Sequence, residues 1–229
     1  MIRFLTEMTL AASLLLSPLS AFATTASPVK VYRSVETDCR RIALTFDDGP
    51  HPRQTREILD VLAEYNVRAT FFMVGENVAN YSDAARAVAK AGHEIGNHTF
   101  THCPMSAARV SELETELEMC EEIIEKVCGC EPSLFRPPQG CVTSFVESCA
   151  AEGEYKLILW SLDTRDWEGR DADAIAQTVL REVRPGAIIL MHDYIGKNAH
   201  TAEALRIILP RLLEDGYELV SVSELLSME

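Results

Sequence analysis

Basic residues are scarce in this chain. Lysine and arginine number 21 against 35 aspartates and glutamates, leaving a net charge of −14. Nucleic acids and anionic membranes both reward clustered lysine and arginine, so the deficit argues against either as a partner. A neutral or cationic substrate is easier to approach. Long apolar runs are missing too. Beyond the amino terminus, no segment offers the roughly 20 consecutive apolar residues that a membrane-spanning helix needs. No stretch is rich in proline, glycine or serine, so no linker divides the 229 residues, a length that suits one domain with a sizeable core. Paired CxxC motifs at zinc-finger spacing are absent. Cys128-Gly129-Cys130 comes nearest, and it reads as structural or disulfide chemistry.

The amino terminus has a different character. Arg3 supplies a thin positive region, and Leu10 to Leu19 is an apolar run broken by Ser13, Ser17 and Pro18. Ala21-Phe22-Ala23 then has the small-x-small form of a cleavage site. Residues 1–23 are expected to be a secretory signal peptide, with an uncleaved anchor as the alternative. Cleavage removes Arg3 and Glu7 together, so the charge stays at −14. The remaining residues, 24–229, are expected to form a single domain outside the cytoplasm, secreted or in the cell envelope. That domain should be a monomer with no stable membrane insertion. Export permits disulfides, but seven cysteines leave at least one unpaired. Cys120 shares a helical stripe with Leu113, Leu117, Ile124 and Val127, and is assigned as a buried free thiol.

From Arg41 onward, strand and helix patterns alternate. Strands are expected over 42–46, 69–74, 93–97, 133–135, 155–160, 187–191 and 218–222. Helices are expected over 55–65, 82–91, 111–127, 142–152, 171–183 and 202–214, with a short one reaching Met228. Ser111 and Glu114 have capping-box spacing, and Asp171 or Asp173 opens the helix before Val183. About seven strand–helix units in alternation indicate an α/β fold whose parallel sheet is covered on both faces, either an open doubly wound sheet or a closed barrel.

The chemistry-bearing residues fall where strands end. Asp47-Asp48 follows the first strand and His98-Thr99-Phe100-Thr101-His102 the third. Two neighbouring carboxylates and two imidazoles spaced i, i+4 make a three-ligand metal site with one carboxylate to spare. A cation to polarise a carbonyl and a base to activate water are the minimum for a metal-assisted hydrolase. Arg136-Pro137-Pro138-Gln139-Gly140, Asp163-Thr164-Arg165-Asp166-Trp167 and His192-Asp193 follow later strands, which gathers every candidate on one rim.

Five ordered motifs, TFDDGP, HTFTH, RPPQG, DTRDW and LMHD, resemble those of the polysaccharide deacetylase family, the NodB-homology domain of carbohydrate esterase family four. The resemblance spans Val31 to the carboxyl terminus. It implies a distorted parallel (β/α) barrel and removal of acetyl from N-acetylated sugar polymers with a divalent metal, most commonly zinc, cobalt or another divalent ion being the alternatives. On this reading Asp48, His98 and His102 hold the metal, and Asp47 takes a proton from the attacking water. Arg136 resembles the family arginine that pairs with the catalytic aspartate. The backbone N–H of Gln139 corresponds to the family's oxyanion donor. Here the chain departs from the pattern, since that position is usually aromatic, so the groove it shapes is altered. His192 is placed as general acid, and Asp166 resembles the residue that orients it. Trp167 and Leu190 would line a slot for the acetyl methyl. Asp163 and Asp193 are assigned to loop capping, and His51, His93 and His200 to structural or solvent-exposed roles.

The expected activity is therefore de-N-acetylation of a glycan polymer, peptidoglycan or chitin-like, with release of acetate. The alternatives are acetyl-ester hydrolysis of the acetylxylan type, hydrolysis of a small amide, or an inactive glycan-binding relic.

Overall fold

The computed structural model describes residues 29–104 and 112–228. The leader and Ser111, with its capping-box expectation, lie outside them. Among the described residues, the strands are β1 (Val31–Tyr32), β2 (Arg41–Asp47), β3 (Thr70–Met73), β4 (Glu94–Asn97), β5 (Leu134–Phe135), β6 (Lys156–Ile158), β7 (Leu162–Asp163), β8 (Ile188–His192) and β9 (Glu218–Leu219). The helices between them are α1 (Gln54–Glu64), α2 (Gly75–Asn80), α3 (Ser82–Lys90), α4 (Leu113–Cys128), α5 (Ser144–Glu152), α6 (Ala172–Glu182), α7 (Thr201–Glu214) and α8 (Val222–Leu226).

Every ladder is parallel, in the order β1-β6-β5-β4-β3-β2-β8-β7, with β9 added beside the start of β2. The sheet curls strongly. β5 lies three strand positions from β2, about 14 Å along a flat sheet. Yet Arg136, just past β5, reaches the β2 side chains of Thr45 and Asp47 at 2.8 and 2.7 Å. Only a sheet rolled toward a barrel brings those groups together. The expected distorted (β/α) barrel is therefore present, with β1 and β7 as its free edges.

β2 shows how the alternation of side chains builds this. Ile42, Leu44 and Phe46 pack outward with Ile189, Met191, Phe71 and the apolar faces of α1, α6 and α7. Ala43 faces the barrel interior among Phe72, Leu134, Ile158 and Ile188. Thr45 and Asp47 share that inward parity, and register pairs them with Leu190 and His192 of β8. The inward face thus turns from apolar to polar as it nears the strands' carboxyl ends.

Most expected elements are present, with shifted ends. Asp171 caps α6, its carboxylate accepting from Ala174 N at 2.7 Å. Gly129, at φ 72°, ends α4 in the left-handed conformation that glycine adopts freely. The last strand is a correction. The 218–222 expectation stops at Leu219, because Ser221 and Glu224 form a capping box that starts α8 instead. β1, β7 and α2 were not expected; two of them are two-residue strands, too short for any periodicity to register. Cys120 is buried as assigned, its thiol donating to Met73 O at 3.4 Å, and burial pushes its pKa up to about 12.

Phe71 is fully buried and stacks on Phe46, ring centroids 4.9 Å apart. Phe71→Ala should cost about 3–5 kcal/mol. Urea unfolding followed by circular dichroism checks this; a loss under 1 kcal/mol would mean that the sheet does not depend on this stack.

Candidate metal centre

Asp48 leaves β2 at φ 75°, a left-handed conformation that aspartate tolerates better than most residues. Its carbonyl accepts from Asn77 Nδ2 at 2.7 Å, and the neighbouring Gly49 O accepts from Val74 N at 2.9 Å. Gly49 cannot be replaced cheaply, because a Cβ there would lie 2.1 Å from the Asp193 carboxylate. His98 continues β4, and His102 closes the following loop at φ 53°.

Those two imidazoles converge on Asp48. Its Oδ1 is 3.4 Å from His98 Nε2 and 3.2 Å from His102 Nε2, and all three ligand atoms lie within 4.8 Å of one another. Ligands about 2.0–2.1 Å from a tetrahedral zinc stand about 3.3 Å apart, so the spacing suits a small divalent cation. The tautomer suits it as well. His98 Nδ1 lies 2.6 Å from Arg136 O, an acceptor only, so Nδ1 donates and Nε2 keeps its lone pair for the site. Burial pushes the His98 imidazole down, but the charges of Asp47 and Asp48 outweigh it and leave it above its ordinary value. A cation would take the place of that proton. Burial and the His98 charge hold His102 below its ordinary value, which keeps its lone pair available. Burial favours the neutral form of Asp48, yet the hydrogen bond and charge of His98, helped by His192 and His102, leave it below the usual carboxylate range.

Asp47 points elsewhere. Its Oδ1 accepts from Arg136 at 2.7 Å, and its Oδ2 stays 3.8 Å from His98 Nε2. Arg136 is wholly buried. It also donates to Thr45 Oγ1 (2.8 Å), Ile158 O (3.2 Å) and Leu159 O (3.0 Å), and stacks 4.1 Å above the Phe72 ring.

On the far side, Asp166 accepts three hydrogen bonds: from His192 N (2.9 Å), from His192 Nδ1 (2.7 Å) and from Thr201 Oγ1 (2.8 Å). Burial alone would lower the His192 pKa. The Asp166 hydrogen bond and charge, with Asp47 and Asp48 behind them, raise it to about 9. These contacts favour the imidazolium form of His192 at neutral pH, with Nδ1 engaged by Asp166 and Nε2 left as its other ring nitrogen.

A cavity of about 470 Å³ joins these groups. Its lining includes Asp47, Asp48, His98, His102, Gln139, Trp167, Leu190 and His192, together with Trp160 and Asp163. Arg136 and Asp166 stand one layer behind, touching lining residues and not the cavity itself. Gln139 adopts φ 59° within a single tight turn (Pro138–Gly140), and its side chain is exposed at the mouth. Trp167 is 53% exposed, which rules out core packing as its role.

Several sequence assignments fall outside this group. Asp163 caps its loop by accepting from Arg165 N at 2.8 Å, although it also borders the cavity. Asp193 is more than a loop cap. It is buried, accepts from Thr55 Oγ1 at 2.6 Å and donates its own N–H to Asp47 O, with burial raising its carboxyl to about 7. His51 Nδ1 accepts from the N–H groups that start α1, His93 Nδ1 accepts from Ala69 N, and exposed His200 pairs with Glu203. Sequence reasoning missed Trp160, Thr201, Asn77 and Thr55. None lies in a recognisable spacing, although Trp160 ends an expected strand as the other rim residues do.

An α/β barrel with a three-ligand candidate cation site, a separate acid and a protonated histidine around one cavity is the architecture of a hydrolase. The sequence pattern of the polysaccharide deacetylase family matches residues 34–158, and the chain belongs to that family. A peptidoglycan-N-acetylglucosamine deacetylase of Bacillus cereus is 42% identical over 187 residues, covering 81% of this chain and 87% of that protein. An acetyl xylan esterase from Clostridium thermocellum, solved with a cobalt ion, superposes with a TM-score of 0.75 at 35% identity, covering 82% of this chain and 91% of that one. A pseudoenzyme of the same esterase family from Bacillus anthracis superposes at 0.81 with 30% identity, covering 88% and 70%.

Removing the Asp166 charge should lower the His192 pKa from about 9 toward its ordinary 6.5. Histidine proton NMR of wild-type and Asp166→Asn protein measures both midpoints. The group is raised in the fold, so it adds stability that is whole below pH 6.5 and fades as pH rises through about 9. Equal midpoints in the two proteins would show that Asp166 does not hold the imidazolium.

Proposed function

We propose that this protein is an exported, divalent-metal-dependent de-N-acetylase of amino-sugar polymers. The observation that carries the reading is the division of labour around one cavity: three ligand atoms converge while Asp47 is held apart by Arg136. Asp48, His98 and His102 would hold the cation, zinc on this reading. Such an ion supplies Lewis acidity at the acetyl carbonyl and makes water easier to deprotonate.

The chain's own groups do the rest. Asp47 accepts a proton from the water that attacks the acetyl carbon, and Arg136 keeps that carboxylate aimed and apart from the ligands. The Gln139 N–H donates to the oxyanion that develops on the carbonyl oxygen. His192, charged through Asp166, gives its proton to the amide nitrogen as the carbon–nitrogen bond breaks. Acetate and a free amino sugar leave. Leu190 and Trp167 form the apolar wall for the acetyl methyl.

The Bacillus cereus relative supports N-acetylglucosamine in peptidoglycan as the substrate, and the net charge of −14 supports a neutral glycan. Export rests on residues 1–23; among the described residues no helix is long and apolar enough to cross a membrane. An ester substrate is the second reading, favoured by the likeness to the acetyl xylan esterase.

Mass spectrometry of N-acetylglucosamine oligomers, peptidoglycan fragments and acetylated xylan, each incubated with protein and zinc, separates these readings. A mass loss of one acetyl per event is expected on the amino sugars and not on xylan, and a chelator should abolish it. Loss from xylan alone would replace the amide reading with the ester one; no loss anywhere would make the protein a binder. Within the site, Asp47→Asn should keep one equivalent of zinc and lose most turnover, about 100-fold or more. His98→Ala should lose both. Parallel loss of metal and rate in the two variants would overturn the separate roles of Asp47 and Asp48.

A further inference from the structure

His102 comes five residues after the end of β4, whereas Asp48 and His98 each follow a strand directly. The loop that carries it has two non-glycine residues in the left-handed region, Thr99 at φ 66° and His102 at φ 53°. Threonine, β-branched, rarely adopts such angles unless its surroundings impose them. The surroundings are specific. Asn97 Oδ1 accepts from Thr99 N at 2.9 Å, and Thr99 O and Phe100 O accept from Gly75 N and Glu76 N at the start of α2. The next residue, Thr101, is exposed but doubly held. Its N–H donates to Glu116 Oε2 at 2.7 Å and its hydroxyl to Glu116 Oε1 at 2.9 Å.

Glu116 is unusual for a glutamate on an amphipathic helix. It is only 8% exposed, and it lies on the inner side of α4 next to Leu117 and Leu113, where an apolar side chain would bury more cheaply. Both its oxygens serve the loop. The same helix offers Leu117 O to Asn97 Nδ2 at 3.0 Å, so α4 grips both ends of the ligand segment.

We propose that Glu116 is a positioning residue for the metal centre: its carboxylate clamps Thr101 and thereby fixes the left-handed turn that aims His102 at Asp48. The inference rests on the reading that Asp48, His98 and His102 hold a cation. Glu116 is not among the converging ligand atoms. It sets the pre-organisation of one ligand, as outer-shell partners of metal-bound histidines do.

The test is zinc affinity of the apo-protein, by competition with a chromophoric chelator, in wild type, Glu116→Ala, Glu116→Gln and Glu118→Ala. Glu118 is an exposed neighbour on the same helix. Glu116→Ala should bind zinc about 10–100-fold more weakly. Glu116→Gln, whose amide can still accept from the N–H and donate to the hydroxyl oxygen, should stay within a few-fold of wild type, and Glu118→Ala should be unchanged. The visible spectrum of the cobalt-loaded proteins should shift in Glu116→Ala alone, reporting altered ligation that a general loss of stability would not produce. Wild-type affinity in Glu116→Ala overturns the role of Glu116 and leaves the metal centre standing. A wild-type protein that takes up no divalent cation overturns both. Should Glu116→Ala fail to fold, Thr101→Val, at an exposed position, decides: several-fold weaker zinc binding supports the clamp, and unchanged binding overturns it.

Discussion

The site depends on one buried guanidinium. Arg136 has no solvent contact, and moving such a cation out of water costs several kcal/mol unless its donors are met. Here they are met from two sides: by Thr45 and Asp47 on β2, and by the Ile158 and Leu159 carbonyls at the end of β6. Its own carbonyl fixes the His98 tautomer. One residue therefore joins three strands across the barrel interior, keeps Asp47 apart from the ligand set, and sets which nitrogen His98 presents. The curl of the sheet brings that contact together, and the contact in turn orders the rim. Losing it would leave Asp47 a buried, unpaired charge, the costlier half of a broken pair.

Around that contact the barrel supplies position and the loops supply strain. Parallel register puts Asp47 opposite His192 and Thr45 opposite Leu190, so the proposed proton acceptor and proton donor face each other across a single ladder. Asp48, Thr99, His102 and Gln139 all take left-handed backbone angles at the rim. Each costs on the order of 1–3 kcal/mol and persists only where its surroundings hold it. Asn77, Asn97 and Glu116 do so for the ligand loops. Helices α2 and α4 are thus as much a part of the site as the strands that carry the ligands.

The fold class was legible because β2, β3 and β8 are apolar runs bounded by polar residues, and because α4 and α7 carry long stripes at helical spacing. The candidate site was legible because carboxylates and imidazoles at strand ends have few bland explanations. What escaped follows from the same physics. β1 and β7 are held by tertiary pairing and not by any pattern of their own. The 218–222 run looked β-like, yet the Ser221–Glu224 capping box redirected it, a local signal that outweighs two apolar residues. Asp193 looked like a loop residue beside His192, and the contacts that bury it come from Gly49 and Thr55, about 140 positions earlier in the chain. Glu116 carries no signal of its own, because sequence spacing cannot show which of the many acids of α4 faces inward to meet a loop.

The most direct test of the account is anomalous diffraction at the zinc edge from crystals grown with zinc. The account places a single peak within about 2.0–2.2 Å of Asp48 Oδ1, His98 Nε2 and His102 Nε2, with the Asp47 carboxylate still on Arg136. A peak that lacks either histidine, or one that draws Asp47 into the coordination sphere in place of Asp48, would contradict it.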